Sequence, residues 1–157
     1  MRALSFMLGL IVVGCGETSQ RAAPEAIFTA APAGAAATEK ESHRMWMTVG
    51  DRRFAVTLSD NATARSFAAL LPLTIDMSDL NDNEKHAKLP RALASDASKP
   101  ETIRSGDIML WGTDTLVVFY VTFDSPYSYT RIGRVNDPAG LAQALGPRDV
   151  RITFSKS

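Results

Sequence analysis

Apolar and polar residues alternate with a period of two along most of the chain beyond residue 43. Met45, Met47 and Val49 alternate with Trp46 and Thr48; after Gly50-Asp51, Phe54, Val56 and Leu58 alternate with Arg53, Ala55 and Thr57. Successive strand side chains point to opposite faces, so this spacing predicts a hairpin with one inward face and a tight turn at the Gly-Asp pair. Leu73 to Leu80 predicts a further strand, with Leu73, Ile75 and Met77 on one face. Gly106-Asp107 introduces a strand from Ile108 to Trp111, and Gly112-Thr113-Asp114 turns the chain into Leu116 to Val121. That run is apolar on both faces, which predicts a central strand. Tyr127 to Val135 and the closing alternation of Val150, Ile152 and Phe154 predict the last two.

Two segments break this rhythm. Asp60 predicts a helix N-cap, followed at helical spacing by Ala64, Phe67, Ala68 and Leu71 and stopped by Pro72. Asp137-Pro138 predicts a second short helix ending at Gly146, with Leu141 and Leu145 one turn apart on its inner side. Asn81 to Lys88 is polar and turn-prone, and Leu89 to Pro100 is a loop. Seven to eight short strands with two short helices predict a mainly β fold, a closed barrel, because closure removes exposed strand edges.

The first 43 residues follow different rules. Met1 to Cys15 places Arg2 before an apolar run from Ala3 to Val13 and ends Val12-Val13-Gly14-Cys15. The run is too short for a membrane-spanning helix, which takes about 20 apolar residues, and fits the apolar region of a secretory signal. The segment resembles a bacterial lipoprotein signal, which implies acylation of Cys15 and anchoring in the cell envelope. Gly16 after the cysteine points by that analogy to the outer membrane. Residues 16–43 are Ala-rich with scattered Pro, Gly, Ser and Thr, a composition that buries too little to offset ordering entropy. They are expected to form a flexible linker with an end-to-end distance of roughly 30 Å. Residues 44–157, about 110 in number, make one domain by size.

Charge and cysteine content narrow the function classes. The whole chain carries 17 Lys+Arg against 17 Asp+Glu. That balance offers no basic face for nucleic acid. Cys15 is the sole cysteine; once acylated, it leaves no thiol for a disulfide, a thiolate metal site or a nucleophile. Asp79-x-Asn81-x-Asn83 begins like a calcium loop, but Glu84 stands where such a loop needs glycine and Pro90 where it needs a bidentate acid. His43 and His86 are too few for a zinc site, and no glycine loop cradles phosphate. No metal and no cofactor is expected.

Three stretches carry a family resemblance: Thr48-Val49-Gly50 to Asn61-Ala62-Thr63-Ala64, Leu71-Pro72-Leu73-Thr74 to Met77-Ser78-Asp79-Leu80-Asn81, and Tyr127-Ser128-Tyr129-Thr130-Arg131-Ile132-Gly133-Arg134. With Gly106-Asp107 between them, they resemble the bacterial cyclophilin-like family, which implies a compact cyclophilin-like β-barrel over Arg44 to Phe154. The Phe-His-Arg stretch of true cyclophilins is absent; His43-Arg44 has no preceding phenylalanine. No catalytic residue therefore carries over by motif, and fold alone does not assign function.

The candidate site rests on Tyr127, Tyr129 and Arg131, which period two places on one strand face. An arginine beside phenol rings stacks on aromatics and donates to carbonyls or carboxylates. The same row serves equally well as cross-strand packing. Phe119, Phe123 and Trp111 are candidate walls, although aromatics more often fill cores. Met77, Asn83 and Glu84 are candidates for the pocket rim. The expected role is binding of a peptide or small ligand. One alternative is peptidyl-prolyl isomerisation with Arg131 as the donor at the amide nitrogen, where it would lower the roughly 18–20 kcal/mol rotation barrier. The other is a structural or assembly role in the envelope.

Overall fold

The computed structural model describes residues 43–157; Cys15, the signal-like segment and the linker lie outside them. Eight antiparallel strands close into a barrel in the order β1-β2-β7-β5-β6-β4-β3-β8. They are β1 (Arg44–Val49), β2 (Arg52–Leu58), β3 (Leu73–Leu80), β4 (Glu84–Lys88), β5 (Asp107–Trp111), β6 (Thr115–Phe119), β7 (Thr130–Val135) and β8 (Val150–Lys156). Two short helices, α1 (Ala62–Ala68) and α2 (Leu141–Leu145), interrupt the strand sequence. The mainly β barrel expected from alternation is the fold observed.

Alternation builds the interior. Met45 and Met47 of β1, Val56 of β2, Ile108 and Leu110 of β5, Leu116 and Val118 of β6, and Ile152 and Phe154 of β8 are buried in one cluster. The β1–β2 hairpin pairs Val49 with Arg52, which leaves Gly50-Asp51 as a two-residue turn with Gly50 at φ 58°. That left-handed backbone is the one glycine adopts without steric cost. Phe67 of α1 meets Phe154 edge to face at 5.5 Å, and Leu141 and Leu145 of α2 join the same core. The peptide between Leu71 and Pro72 is cis.

Four expectations are corrected. Asn61, not Asp60, caps α1: its side chain accepts from the Ala64 backbone N–H at 2.7 Å. Asp60 pairs instead with Arg65 on the surface. The second helix begins at Leu141 rather than at Asp137-Pro138, because Asp137 turns back to accept from Ala139 N–H and Gly140 takes a left-handed conformation. The segment from Asn81 to Lys88 is a turn only as far as Asn83. Glu84–Lys88 is a strand paired on one side with β3 and on the other with β6. Its inward residue is Lys85, whose ammonium is buried and bonded to Asp79 and to the carbonyls of Gly146 and Arg148. An ionic inward residue erases the apolar alternation by which a strand is read. Finally, β7 starts at Thr130, not Tyr127.

Candidate functional site

The outer faces of β4 and β6 form the floor of a groove of about 540 Å³. The register Glu84↔Phe119, His86↔Val117 and Lys88↔Thr115 sets these side chains in cross-strand pairs. A second apolar cluster, of Ile103, Met109, Val117, Phe119 and Tyr129 with Phe123 packed against it, lies on the same outer face and continues the floor. Phe119 is its centre. It meets Tyr129 edge to face at 5.4 Å and Phe123 at 5.8 Å, geometries that aromatic quadrupoles favour.

One wall comes from residues 123–129. Two isolated bridges hold it in place: Phe123 exchanges backbone hydrogen bonds with Ile103, and Tyr129 with Ser98, all at 3.0 Å. The opposite rim is the β3–β4 turn, where Asn81 and Asp82 both stand at φ 54°. Short polar side chains tolerate that left-handed region better than other non-glycine residues. The turn sets Leu80, Asn81 and Asn83 on the groove, and Trp111 closes it from the end of β5. Trp111 and Tyr127 remain 54% and 62% exposed. These are large apolar surfaces left to solvent, which is the informative kind of exposure.

Glu84 is the electrostatic feature of the floor. It is 8% exposed and has no hydrogen-bond or ion-pair partner among the described residues. Burial, reinforced by the charge of Asp79, pushes its carboxyl up to about 7. A desolvated carboxylate favours its neutral form unless a partner is supplied. Beside it, the buried Asn83 Oδ1 has no hydrogen-bond partner. Asp79 behaves oppositely. Burial raises it, but hydrogen bonds from Lys85 and from the Tyr120 hydroxyl outweigh that and hold it below the usual carboxylate range. Tyr120 is correspondingly raised by burial and by Asp79. Among the described residues no group of His, Cys, Asp or Glu is arranged to hold a metal ion.

The structure brings together six of the residues singled out from sequence: Trp111, Phe123, Tyr127, Tyr129, Asn83 and Glu84 all line the groove. Phe119 is buried beside the groove, on the same outer face, against Tyr129 and Phe123. Met77 is fully buried in the barrel core and does not reach the rim. Tyr129 and Arg131 keep the expected face, since Met109, the partner of Arg131, packs with Tyr129, but the row does not extend to Tyr127 and Arg131 does not reach the groove. Tyr127 precedes the strand and is exposed, Tyr129 is buried against Phe119, and Arg131 lies outside the groove. The Arg131 guanidinium donates to Asp107 at 2.9 Å, and Arg134 stands 3.7 Å from the same oxygen. The buried Asp107 carboxylate claims the arginine, as a buried charge must be paired. His86 and Val117 were missed. Their signal is visible only once β4 is recognised as a strand, which turns its alternate positions outward.

A family model described as the cyclophilin-like family matches residues 47–155. The chain is also similar to the solution structure of a hypothetical protein from Archaeoglobus fulgidus. The TM-score is 0.54 at 15% identity, over 73% of this chain and 95% of that one. At that identity the likeness carries the fold alone. No curated protein matches the chain.

Proposed function

The chain belongs to the cyclophilin-like family, and from that premise we propose that its β4–β6 groove binds a peptide segment or a small ligand. The observation that carries this reading is the exposure of Trp111 and Tyr127 on a preformed groove whose wall residues Phe123 and Tyr129 are packed against the buried Phe119. Ligand sites are concave, mostly apolar and furnished with a few convergent polar groups, at volumes of about 300–1,000 Å³. The groove has that size and that composition. Binding is the best-supported reading because Arg131, the donor on which an isomerase mechanism was drawn, is bonded to Asp107 outside the groove. The lipoprotein-type pattern ending at Cys15 supports a second part of the proposal, that the domain is tethered to the bacterial envelope, in the outer membrane.

Trp111 supplies the assay. The chain has two tryptophans, so Trp46→Phe leaves Trp111 as the only indole. Screening a library of short peptides and aromatic fragments by its emission should give saturable responses that Tyr127→Ala weakens. A screen with no saturable response sinks the binding reading. Self-association abolished by Trp111→Ala would replace it with the assembly role. Incorporation of labelled palmitate, lost in Cys15→Ala, tests the tether; no incorporation refutes it.

A further inference from the structure

The polar side chains of the groove are unequal in what they have left to offer. Lys88 is bonded to Asp114 at 2.9 Å. The Thr115 hydroxyl donates to the same Asp114, at 3.2 Å. The Ser125 hydroxyl accepts from the Tyr127 backbone N–H. His86 stands at the next outward position along β4 and forms no ion pair with Glu84. Two acceptors remain without a donor among the described residues: the Glu84 carboxyl, in a residue 8% exposed, and the buried Asn83 Oδ1. Both belong to residues that line the groove.

A buried polar atom without a partner is costly, and a buried carboxylate more so. Burial and the charge of Asp79 raise the Glu84 carboxyl to about 7. A positively charged donor placed against it would draw it into the ionised form. The walls favour the same sign of charge. The faces of Trp111, Phe123 and Tyr127 carry negative quadrupoles that attract cations. An anionic ligand would meet the Glu84 charge with no free cation on the floor to answer it, because Lys88 is already paired.

We propose that the groove selects a ligand bearing a cationic nitrogen, an ammonium or a guanidinium, on an aromatic or aliphatic body. The nitrogen donates to the Glu84 carboxylate, while the body lies between Trp111, Phe123 and Tyr127. This rests on the reading of the groove as a binding site and adds the ligand's charge to it.

The test uses three probes of one shape: phenethylammonium, phenethyl alcohol and phenylacetate. Each is titrated at pH 8 against Trp46→Phe protein, with Trp111 emission as the readout. The ammonium should bind at least tenfold more tightly than the alcohol, with phenylacetate weakest. Glu84→Gln should abolish the tenfold advantage of the ammonium over the alcohol. A thermal melt confirms that this variant is folded. Tyr127→Ala, on an exposed side chain, should weaken ammonium and alcohol together. If alcohol and ammonium bind equally, or phenylacetate binds best, the charge selection is wrong and the groove still stands as a binding site. If the ammonium keeps its advantage in Glu84→Gln, Glu84 is not its partner. If none of the three gives a saturable response, the groove reading falls and this inference with it.

Discussion

Lys85 and Asp79 form an ion pair across the β3–β4 hairpin, with the Lys85 side chain fully buried and that of Asp79 13% exposed. The ammonium is completed by the carbonyls of Gly146 and Arg148, and Asp79 also accepts from the Tyr120 hydroxyl at 2.6 Å. The pair thus ties the β3–β4 hairpin to the end of α2 and to β6. The rim that carries Asn83 and Glu84 is positioned by it.

Breaking that pair should be the most damaging single change near the site. Asp79→Ala leaves a buried ammonium with no counter-charge, a situation that costs about 3–5 kcal/mol. Denaturant unfolding of Asp79→Ala, compared with the parent, measures it. Because the Asp79 carboxyl is held below its ordinary value when folded, its contribution is complete above the unfolded carboxylate pKa. It is lost as pH falls through the folded one. The parent should therefore lose stability in acid with a slope that Asp79→Asn removes.

Glu84 should act in the opposite direction and in a separate window. Its folded value near 7 lies above the ordinary 4.5, so the folded state holds more protons between those limits. The stability linked to it is present below 4.5 and is lost as pH rises through 7. The size is on the order of 3 kcal/mol. Asp79 acts on this carboxyl directly, and His86 and Lys88 share its face of β4; their charges set the background slope. Unfolding midpoints from pH 5 to 8.5 should decline for the parent and stay flatter for Glu84→Gln, the variant being the more stable at pH 8. Equal slopes for both proteins would show that Glu84 ionises normally.

Arg131 should matter to stability and not to binding. Its bond to the buried Asp107 is of the charged kind, and its loss costs about 1.5 kcal/mol. Arg131→Ala should lower the unfolding midpoint while leaving the affinity of phenethylammonium unchanged. A variant that stays fully stable and loses binding would return the arginine to the site.

Asn61→Ala should destabilise the domain by about 1 kcal/mol as a lost N-cap, and by somewhat more because its amide also donates to the Arg131 carbonyl at 2.8 Å. Asp60→Ala, which removes only an exposed pair with Arg65, should change the midpoint by less than about 0.5 kcal/mol. Chemical denaturation of the two variants side by side distinguishes the cap from its neighbour.

The barrel was legible because alternation is a local signal. Met45-Met47-Val49 and Phe54-Val56-Leu58 announce their strands without reference to anything distant. Strand β4 was hidden because its inward position is filled by Lys85, and the groups that make a buried lysine tolerable, Asp79, Gly146 and Arg148, lie six to sixty-three residues away. The same holds for the site. Aromatic richness pointed to Trp111, Phe123, Tyr127 and Tyr129, but period two misled at Tyr127, which lies before the strand begins. The β5–β7 register shifts between Ile108 and Met109. Asp107 is separated from its arginine by 24 residues, so no spacing rule could assign the pair.

The most direct test of the central claim is an amide chemical-shift map of the domain titrated with phenethylammonium. Saturable shifts should gather on Asn83, Glu84, His86, Trp111, Val117 and Tyr127, and leave Arg44, Leu58 and Leu71 at the other concave surface unmoved. Shifts at that other surface instead, or none at saturating probe, would contradict the account.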